Sequence, residues 1–179
     1  MNFANKLTVL RVLLVPVFVL FFYLDKVIPF WNLIALTLFI LAGLTDIWDG
    51  RYARKHGLVT DFGKLMDPMA DKLLTSTAFI LLTAKGLLPA ILTVVFIARD
   101  LIISAFRLIA LEKGTVIAAV KIAKYKTLAQ DLAIGFLLHG VSVAPLMWVG
   151  KAFSYIALVM TVWSLIVYLV KNKGVVSSK

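Results

Sequence analysis

Five of the nine acidic residues of this 179-residue chain fall between positions 46 and 71: Asp46, Asp49, Asp61, Asp67 and Asp71. Even scatter would put far fewer there. Asp46 and Asp49 stand at i and i+3, and Asp67 and Asp71 at i and i+4. Each pair therefore shares a helix face if a helix runs through it. On adjacent antiparallel helix ends the two pairs can converge. Converging carboxylates repel unless cations lie between them. Oxygen ligands without His or Cys suit hard ions, Mg²⁺ or Mn²⁺, rather than Zn²⁺. Two such ions held by shared carboxylates do phosphoryl chemistry: they neutralise the phosphate and stabilise the entering and leaving oxygens. A plainer reading makes the same aspartates interfacial residues paired with Arg51, Arg54, Lys64 and Lys72. Spacing alone leaves both readings open.

The elements that must position these residues are apolar. The chain is 62% hydrophobic and 16% charged, with a mean hydropathy of +1.00 and no cysteine. A soluble domain is about 45–50% apolar and about 25% charged, so this chain has too little polar surface to cover a water-exposed globule. The composition excludes a disordered chain, a disulfide scaffold and a thiolate metal protein. A membrane-spanning helix needs roughly 20 apolar residues. Apolar runs at 7–24, 27–44, 73–88, 89–111, 127–143 and 152–170 predict six of them. The expected architecture is all-α, a polytopic integral membrane protein with six transmembrane helices around a cytosol-facing polar cavity, in one domain over residues 1–179.

The connections carry the next expectations. Only Asp25 and Lys26 separate the first two runs, a short turn joins the third and fourth at 85–89, and the fifth and sixth meet around 145–151. Pro16 and Pro145 are expected to kink or end helices. Gly57, after Arg54, Lys55 and His56, is a plausible stop for the second helix. Thr60 or Asp61 is a plausible cap for the third. The first run carries Arg11 and lacks a small-residue cleavage site, so it is expected to be a span rather than a cleaved signal.

Thirteen basic residues lie on one set of connections and tails, from Lys6 to Lys179, against Lys26, Lys85 and Lys151 on the other. The positive side faces the cytosol, which places both termini and both long polar connections there, in the cytoplasmic membrane. The net charge of +10 is accounted for by basic loops facing anionic lipid, with no nucleic acid partner.

The full string from Asp46, DIWDGRYARKHGLVTDFGKLMDPMAD, reads D-x2-D-G-x2-A-R-x8-G-x3-D-x3-D. It resembles the signature of the CDP-alcohol phosphotransferases, carried by Asp46, Asp49, Gly50, Ala53, Arg54, Gly63, Asp67 and Asp71. NKLTVLRVLLVPVF, DPMADKLL, ARDLIISAFR and KIAKYKT extend the likeness, toward the bacterial branch that makes phosphatidylglycerophosphate. Before KYKT the chain departs from the usual glycine and serine, with Ala123 and Val120.

The resemblance implies transfer of the phosphatidyl group of CDP-diacylglycerol to the primary hydroxyl of sn-glycerol 3-phosphate, with release of CMP. It implies two Mg²⁺ or Mn²⁺ ions on Asp46, Asp49, Asp67 and Asp71, with Asp71 also the general base. It implies a donor site at Gly50, Ala53, Arg54, Thr60 and Gly63, and a homodimer. Elementary chemistry agrees. Gly50 lets a nucleotide approach the backbone, and Arg54, one turn on, can fork onto a phosphate. Asn5 and Thr8, near Arg11, are further candidates for the donor; Arg11 alternatively snorkels to the headgroups.

Arg99, Asp100, Arg107, Asp131 and His139 also lie within apolar runs, where ionisable residues face a cavity or a partner. Asp100, Ser104 and Arg107 share one face, and Lys124, Thr127 and Asp131 another. The acceptor brings its own phosphate, so basic groups are needed beyond the metals. Arg107, Lys121, Lys124 and Lys126 are the candidates, while Arg99, Asp100 and Asp131 are equally read as structural pairs and His139 as structural. Two other functions fit parts of the pattern. One is the same chemistry with inositol phosphate, serine or phosphatidylglycerol as acceptor. The other is divalent-ion transport, which gives no reason for Gly50, Ala53 or Arg54.

Overall fold

A computed structural model describes the backbone of residues 3–55, 61–112 and 121–172, and the side chains within 7–45, 69–110 and 122–172. Those residues form six helices and no strand: α1 (Phe3–Tyr23), α2 (Trp31–Lys55), α3 (Asp61–Ala84), α4 (Ala90–Glu112), α5 (Lys121–Gly140) and α6 (Ala144–Lys171). Their packing closes a ring. α1 lies against α2 and α3, α3 against α4, α4 against α6, α6 against α5, and α5 back against α2. α3 also touches α5 and α2 across the ring.

The packing is dense where the helices are apolar. Phe18, Phe22, Phe39, Phe79 and Phe96 are buried with Leu82, Ile134, Leu137 and Leu138. Edge and tilted ring contacts join the first two helices, with Phe22 and Trp31 4.9 Å apart and Phe18 and Phe39 6.5 Å apart. α6 buries a row of mostly small residues, Gly150, Ser154, Ala157, Thr161, Ser164 and Tyr168. Gly150 is needed there: a Cβ would stand 2.8 Å from the backbone nitrogen of Leu137. Small residues that let helix backbones approach are the packing mode of helices in lipid. Large apolar side chains instead face outward, including Leu13, Leu20, Ile91, Leu101, Val159 and Trp163.

Among the described residues, α6 is the one helix long and apolar enough by itself to cross a membrane; the apolar stretches Leu7–Tyr23 and Trp31–Thr45 are shorter. The apolar parts of α3, α4 and α5 are interrupted by Lys72, Arg99, Asp100, Arg107, Lys126 and Asp131.

Two connections differ from the sequence expectation. The first two helices are joined by residues 24–30, not by Asp25 and Lys26 alone. Pro29 fixes its own backbone angle and disfavours helix at the residue before it. α2 therefore begins only at Trp31, and Val27 and Ile28 belong to the turn. The last connection is at 141–143, and α6 begins at Ala144 rather than near 152. Pro145 sits in the first turn of α6, where its missing N–H removes no helical bond. Lys151 is thus within α6, its ammonium 4.9 Å from the centre of a Trp148 ring. The turn at 85–89 is as expected, with Gly86 at φ +71 closing α3.

Three turns meet at one end of the bundle. Lys85 pairs with Asp25 and stands 5.3 Å over Trp31. Asn32 donates to the carbonyl of Leu138 (3.0 Å) and to Ser142 Oγ (2.8 Å). The α1–α2, α3–α4 and α5–α6 connections are therefore held together at this end. The chain alternates direction, so the last turns of α2 and α4 and the first turns of α3 and α5 lie at the other end.

Candidate active site

α2 continues as helix well past its apolar part, through Asp46, Asp49, Gly50, Ala53 and Arg54. α3 begins as helix well before its apolar part, through Gly63, Asp67 and Asp71. Both aspartate pairs are therefore on helix backbone, at the one-turn spacing that convergence requires, on two helices that pack against each other. The side-chain contacts of Asn5, Asp46, Asp49, Arg54, Asp67 and Lys121 lie outside the described residues, as does Thr60 altogether. By residue type, a set of aspartates without His or Cys suits a hard divalent ion better than zinc.

Asp71 is described, and its position is informative. It lines two cavities at once. The first, about 220 Å³, is polar and lies between α3, α4 and α5. Among the described residues, five cations stand around it, Lys72, Arg99, Arg107, Lys124 and Lys126, and two carboxylates, Asp71 and Asp100. The second, about 440 Å³, is a groove lined mostly by apolar residues of α2, α3 and α5, among them Leu36, Phe39, Leu74, Leu132 and Phe136. Asp71 and Thr75 are common to both. Thr75 donates to the carbonyl of Asp71 one turn earlier, at 3.0 Å, which keeps its hydroxyl beside the junction.

The polar cavity is built around Asp100. Lys126 Nζ donates to both its carboxylate oxygens, at 2.9 and 3.1 Å, and Arg99 Nη1 to one of them at 2.8 Å. Arg99 Nη2 reaches across to Ser164 Oγ on α6 at 3.0 Å. Lys72 donates to Ser104 Oγ and to the backbone carbonyl of Asp100. Lys126 is 2% exposed. A buried ammonium is tolerable only with such a partner. Asp100 is shared between Lys126 and Arg99 and offsets one of their two charges, so that with Asp71 counted the five cations keep a formal surplus of three positive charges. A cavity with surplus cation selects an anion, and guanidinium and ammonium donors suit a phosphate.

The residues that the sequence put forward for the acceptor are divided by the structure. Arg107, Lys124 and Lys126 come together in the polar cavity with Asp71. Arg107 and Lys124 are exposed at its edge, whereas Lys126 is anchored inside by Asp100. Asp131 shares the groove with Asp71. His139 lines the same groove, one residue past Leu138, whose carbonyl Asn32 holds among the turns. Thr8 and Arg11 are buried at 1% each, so Arg11 does not snorkel to the membrane surface.

Lys72, Thr75 and Gln130 line the polar cavity and were not singled out by spacing. Gln130 stands at i+4 from Lys126, a relation the sequence offers once Lys126 is placed inward.

This arrangement is a helical bundle that sets a carboxylate between a cationic cavity and an apolar groove, a lining suited to a molecule with both a phosphate and an apolar part. The sequence pattern of the family described as CDP-alcohol phosphatidyltransferase matches residues 1–163. The chain belongs to this family, and divalent-ion transport is not its reading.

A CDP-diacylglycerol–glycerol-3-phosphate 3-phosphatidyltransferase of Bacillus subtilis (strain 168) is 39% identical over 177 residues, covering 93% of this chain and 90% of the relative. Proteins of the same name from Salmonella paratyphi A and Rickettsia bellii are 38% and 36% identical, over 97% and 90% of this chain and 96% and 90% of their own lengths.

Proposed function

We propose that this chain transfers the phosphatidyl group of CDP-diacylglycerol to sn-glycerol 3-phosphate, giving phosphatidylglycerophosphate and CMP, as its relatives are named for doing. The observation that carries the reading is the double position of Asp71, between an apolar groove and a cavity with surplus cation. The donor has two acyl chains and the acceptor a phosphate, and the two spaces match that difference. The groove takes acyl chain from the bilayer side. Arg107 and Lys124 hold the acceptor's phosphate at the cavity edge, with Lys126 fixed behind them by Asp100. The acceptor's primary hydroxyl then faces Asp71.

Asp46, Asp49, Asp67 and Asp71 would hold two Mg²⁺ or Mn²⁺ ions, which supply neutralisation of the pyrophosphate charge and of the departing CMP. The protein's own part is positioning and proton transfer. The hydroxyl oxygen forms a bond to the phosphorus that carries diacylglycerol, its proton passes to the Asp71 carboxylate, and the bond from that phosphorus to the CMP oxygen breaks. Gly50 and Arg54 receive the nucleotide's phosphate, with Ala53, Thr60, Gly63, Asn5 and Thr8 around the donor. Holding both reactants in line is worth several orders of magnitude before any proton moves.

Serine as acceptor is disfavoured by the same surplus of cations, because it brings no phosphate to meet them. The topology belongs to this proposal as well: one domain of six spans, with both termini and the active site on the cytosolic side. Its support is the gathering at one end of the three turns that carry few basic residues. The test is purified protein with CDP-diacylglycerol, Mg²⁺ or Mn²⁺ and a panel of alcohols, scoring CMP and lipid product. The expected result is phosphatidylglycerophosphate from glycerol 3-phosphate. A preference for an unphosphorylated alcohol would overturn the assignment of the acceptor.

A further inference from the structure

One polar group in the acceptor cavity plays no part in the transfer described above. Gln130 is 2% exposed, lies on α5 one turn beyond Lys126, and lines the cavity with Asp71 and Arg107. Among the described residues its side-chain nitrogen has no hydrogen-bond partner. A buried amide donor left unmade is costly, and more so inside a bundle that lipid surrounds. Its neighbours differ from it. Lys126 and the end nitrogens of Arg99 are engaged by Asp100 and Ser164, and the other cavity cations carry a full charge suited to phosphate. Gln130 offers a neutral N–H, and a neutral donor suits an uncharged oxygen.

Resting on the acceptor reading above, we propose that Gln130 is a specificity residue of the acceptor site. Its amide N–H donates to the acceptor's non-reacting hydroxyl, the secondary one of a glycerol phosphate, and so distinguishes polyol phosphates from deoxy analogues. The bond is absent until the acceptor is bound, so the Gln130 donor contributes to acceptor binding and adds no stability to the free protein, where leaving it unmade is a cost.

The test uses the full-length protein in detergent–lipid micelles with CDP-diacylglycerol and two acceptors, glycerol 3-phosphate and 3-hydroxypropyl phosphate, which lacks the secondary hydroxyl. For the wild type the deoxy analogue is expected to have a kcat/KM lower by about threefold to tenfold, the range of one neutral hydrogen bond. Gln130→Met keeps the side-chain length without the donor. It is expected to lower kcat/KM for glycerol 3-phosphate by the same factor, to leave the deoxy analogue unchanged, and to leave the KM for CDP-diacylglycerol unchanged. The melting temperature is expected to hold or rise, because a buried donor is removed. Gln130→Glu, which cannot donate when ionised, is expected to lose the distinction between the two acceptors as Gln130→Met does, and to lower kcat/KM for both because its charge offsets part of the cavity's positive surplus.

An unchanged ratio between the two acceptors in Gln130→Met overturns the role of Gln130 while leaving the function standing. A lower melting temperature with both substrates equally impaired does the same, because it assigns Gln130 to packing. A wild type that uses neither acceptor overturns the function itself, and this inference with it.

Discussion

The two ends of this bundle use polar residues in opposite ways. At the end where three turns meet, each polar contact closes on a protein partner: Lys85 on Asp25 and Trp31, Asn32 on Leu138 and Ser142. Toward the other end, in the cavity between α3, α4 and α5, cations outnumber carboxylates five to two among the described residues, and a buried amide donor is left unmade. Where polar groups satisfy one another they fix geometry. Where cation is left in surplus, the charge is available to a ligand of opposite sign. The contrast separates structural from functional polarity without reference to sequence motifs.

The largest effect expected of a single substitution is at the junction of the two cavities. Asp71→Asn keeps the size and the helix, but an amide neither accepts the proton nor carries the charge. Loss of a positioned base alone lowers rates by about 10²–10⁴. Steady-state CMP release should therefore fall by at least about a hundredfold, with an unchanged melting temperature. Activity within tenfold of wild type would remove Asp71 from the chemistry.

Next in size is a stability effect inside the cavity. Asp100→Ala leaves Lys126 buried without its counter-charge, a change that typically costs about 3–5 kcal/mol. Thermal or denaturant unfolding in detergent should show a large loss, and much of it should return in the double variant with Lys126→Met. Equal losses in the single and double variants would show that the pair does not hold α4 to α5.

A third test addresses the groove. A Cβ added at Gly43 meets nothing within 4 Å outside its own stretch of helix, one at Gly135 meets only Leu36 Cδ1 at 3.8 Å, and both glycines line the groove. Gly135→Leu should thus fill groove rather than distort helices, and helix propensity favours it. The expected result is a raised KM for CDP-diacylglycerol with stability equal or higher and the KM for glycerol 3-phosphate unchanged. An unchanged donor KM would detach the groove from the acyl chains.

The smallest effect belongs to the closed end. The hydrogen bond and charge of Lys85 hold the Asp25 carboxyl below its ordinary range. A carboxyl with a lowered folded pKa stabilises above its unfolded pKa, about 3.9, and that contribution is lost as pH falls through the lower folded value. The pair is exposed, so its worth is small. Lys85→Gln should keep full activity. Its melting curve should lie slightly below the wild type at neutral pH and merge with it at strongly acid pH. A large loss of activity would mean that the two ends are coupled.

Much of this contrast was legible in the sequence, and the reasons for the remainder are physical. The aspartate spacing, the continuation of α2 past Leu44 and the turn at Gly86 follow from helical period and glycine chemistry. The start of α2 did not follow from apolar composition, because Pro29 delays it and leaves Val27 and Ile28 in a turn. Arg107, Lys124 and Lys126 were foreseen as neighbours. Which of them is held back was not, because the partner of Lys126 is Asp100, 26 residues away on another helix. Gln130 carries no charge and no motif, so only burial without a partner draws notice to it.

The proposed function depends above all on the cationic cavity beside Asp71 binding the acceptor's phosphate while the donor binds elsewhere. Steady-state kinetics of Arg107→Ala with both substrates varied decides between this and a structural role. A charge-assisted contact is worth about 1.5–3 kcal/mol. The expected outcome is a KM for glycerol 3-phosphate raised by about tenfold to a hundredfold, with the KM for CDP-diacylglycerol little changed. An unchanged acceptor KM, or equal damage to both substrates, would contradict the assignment and make Arg107 a structural residue.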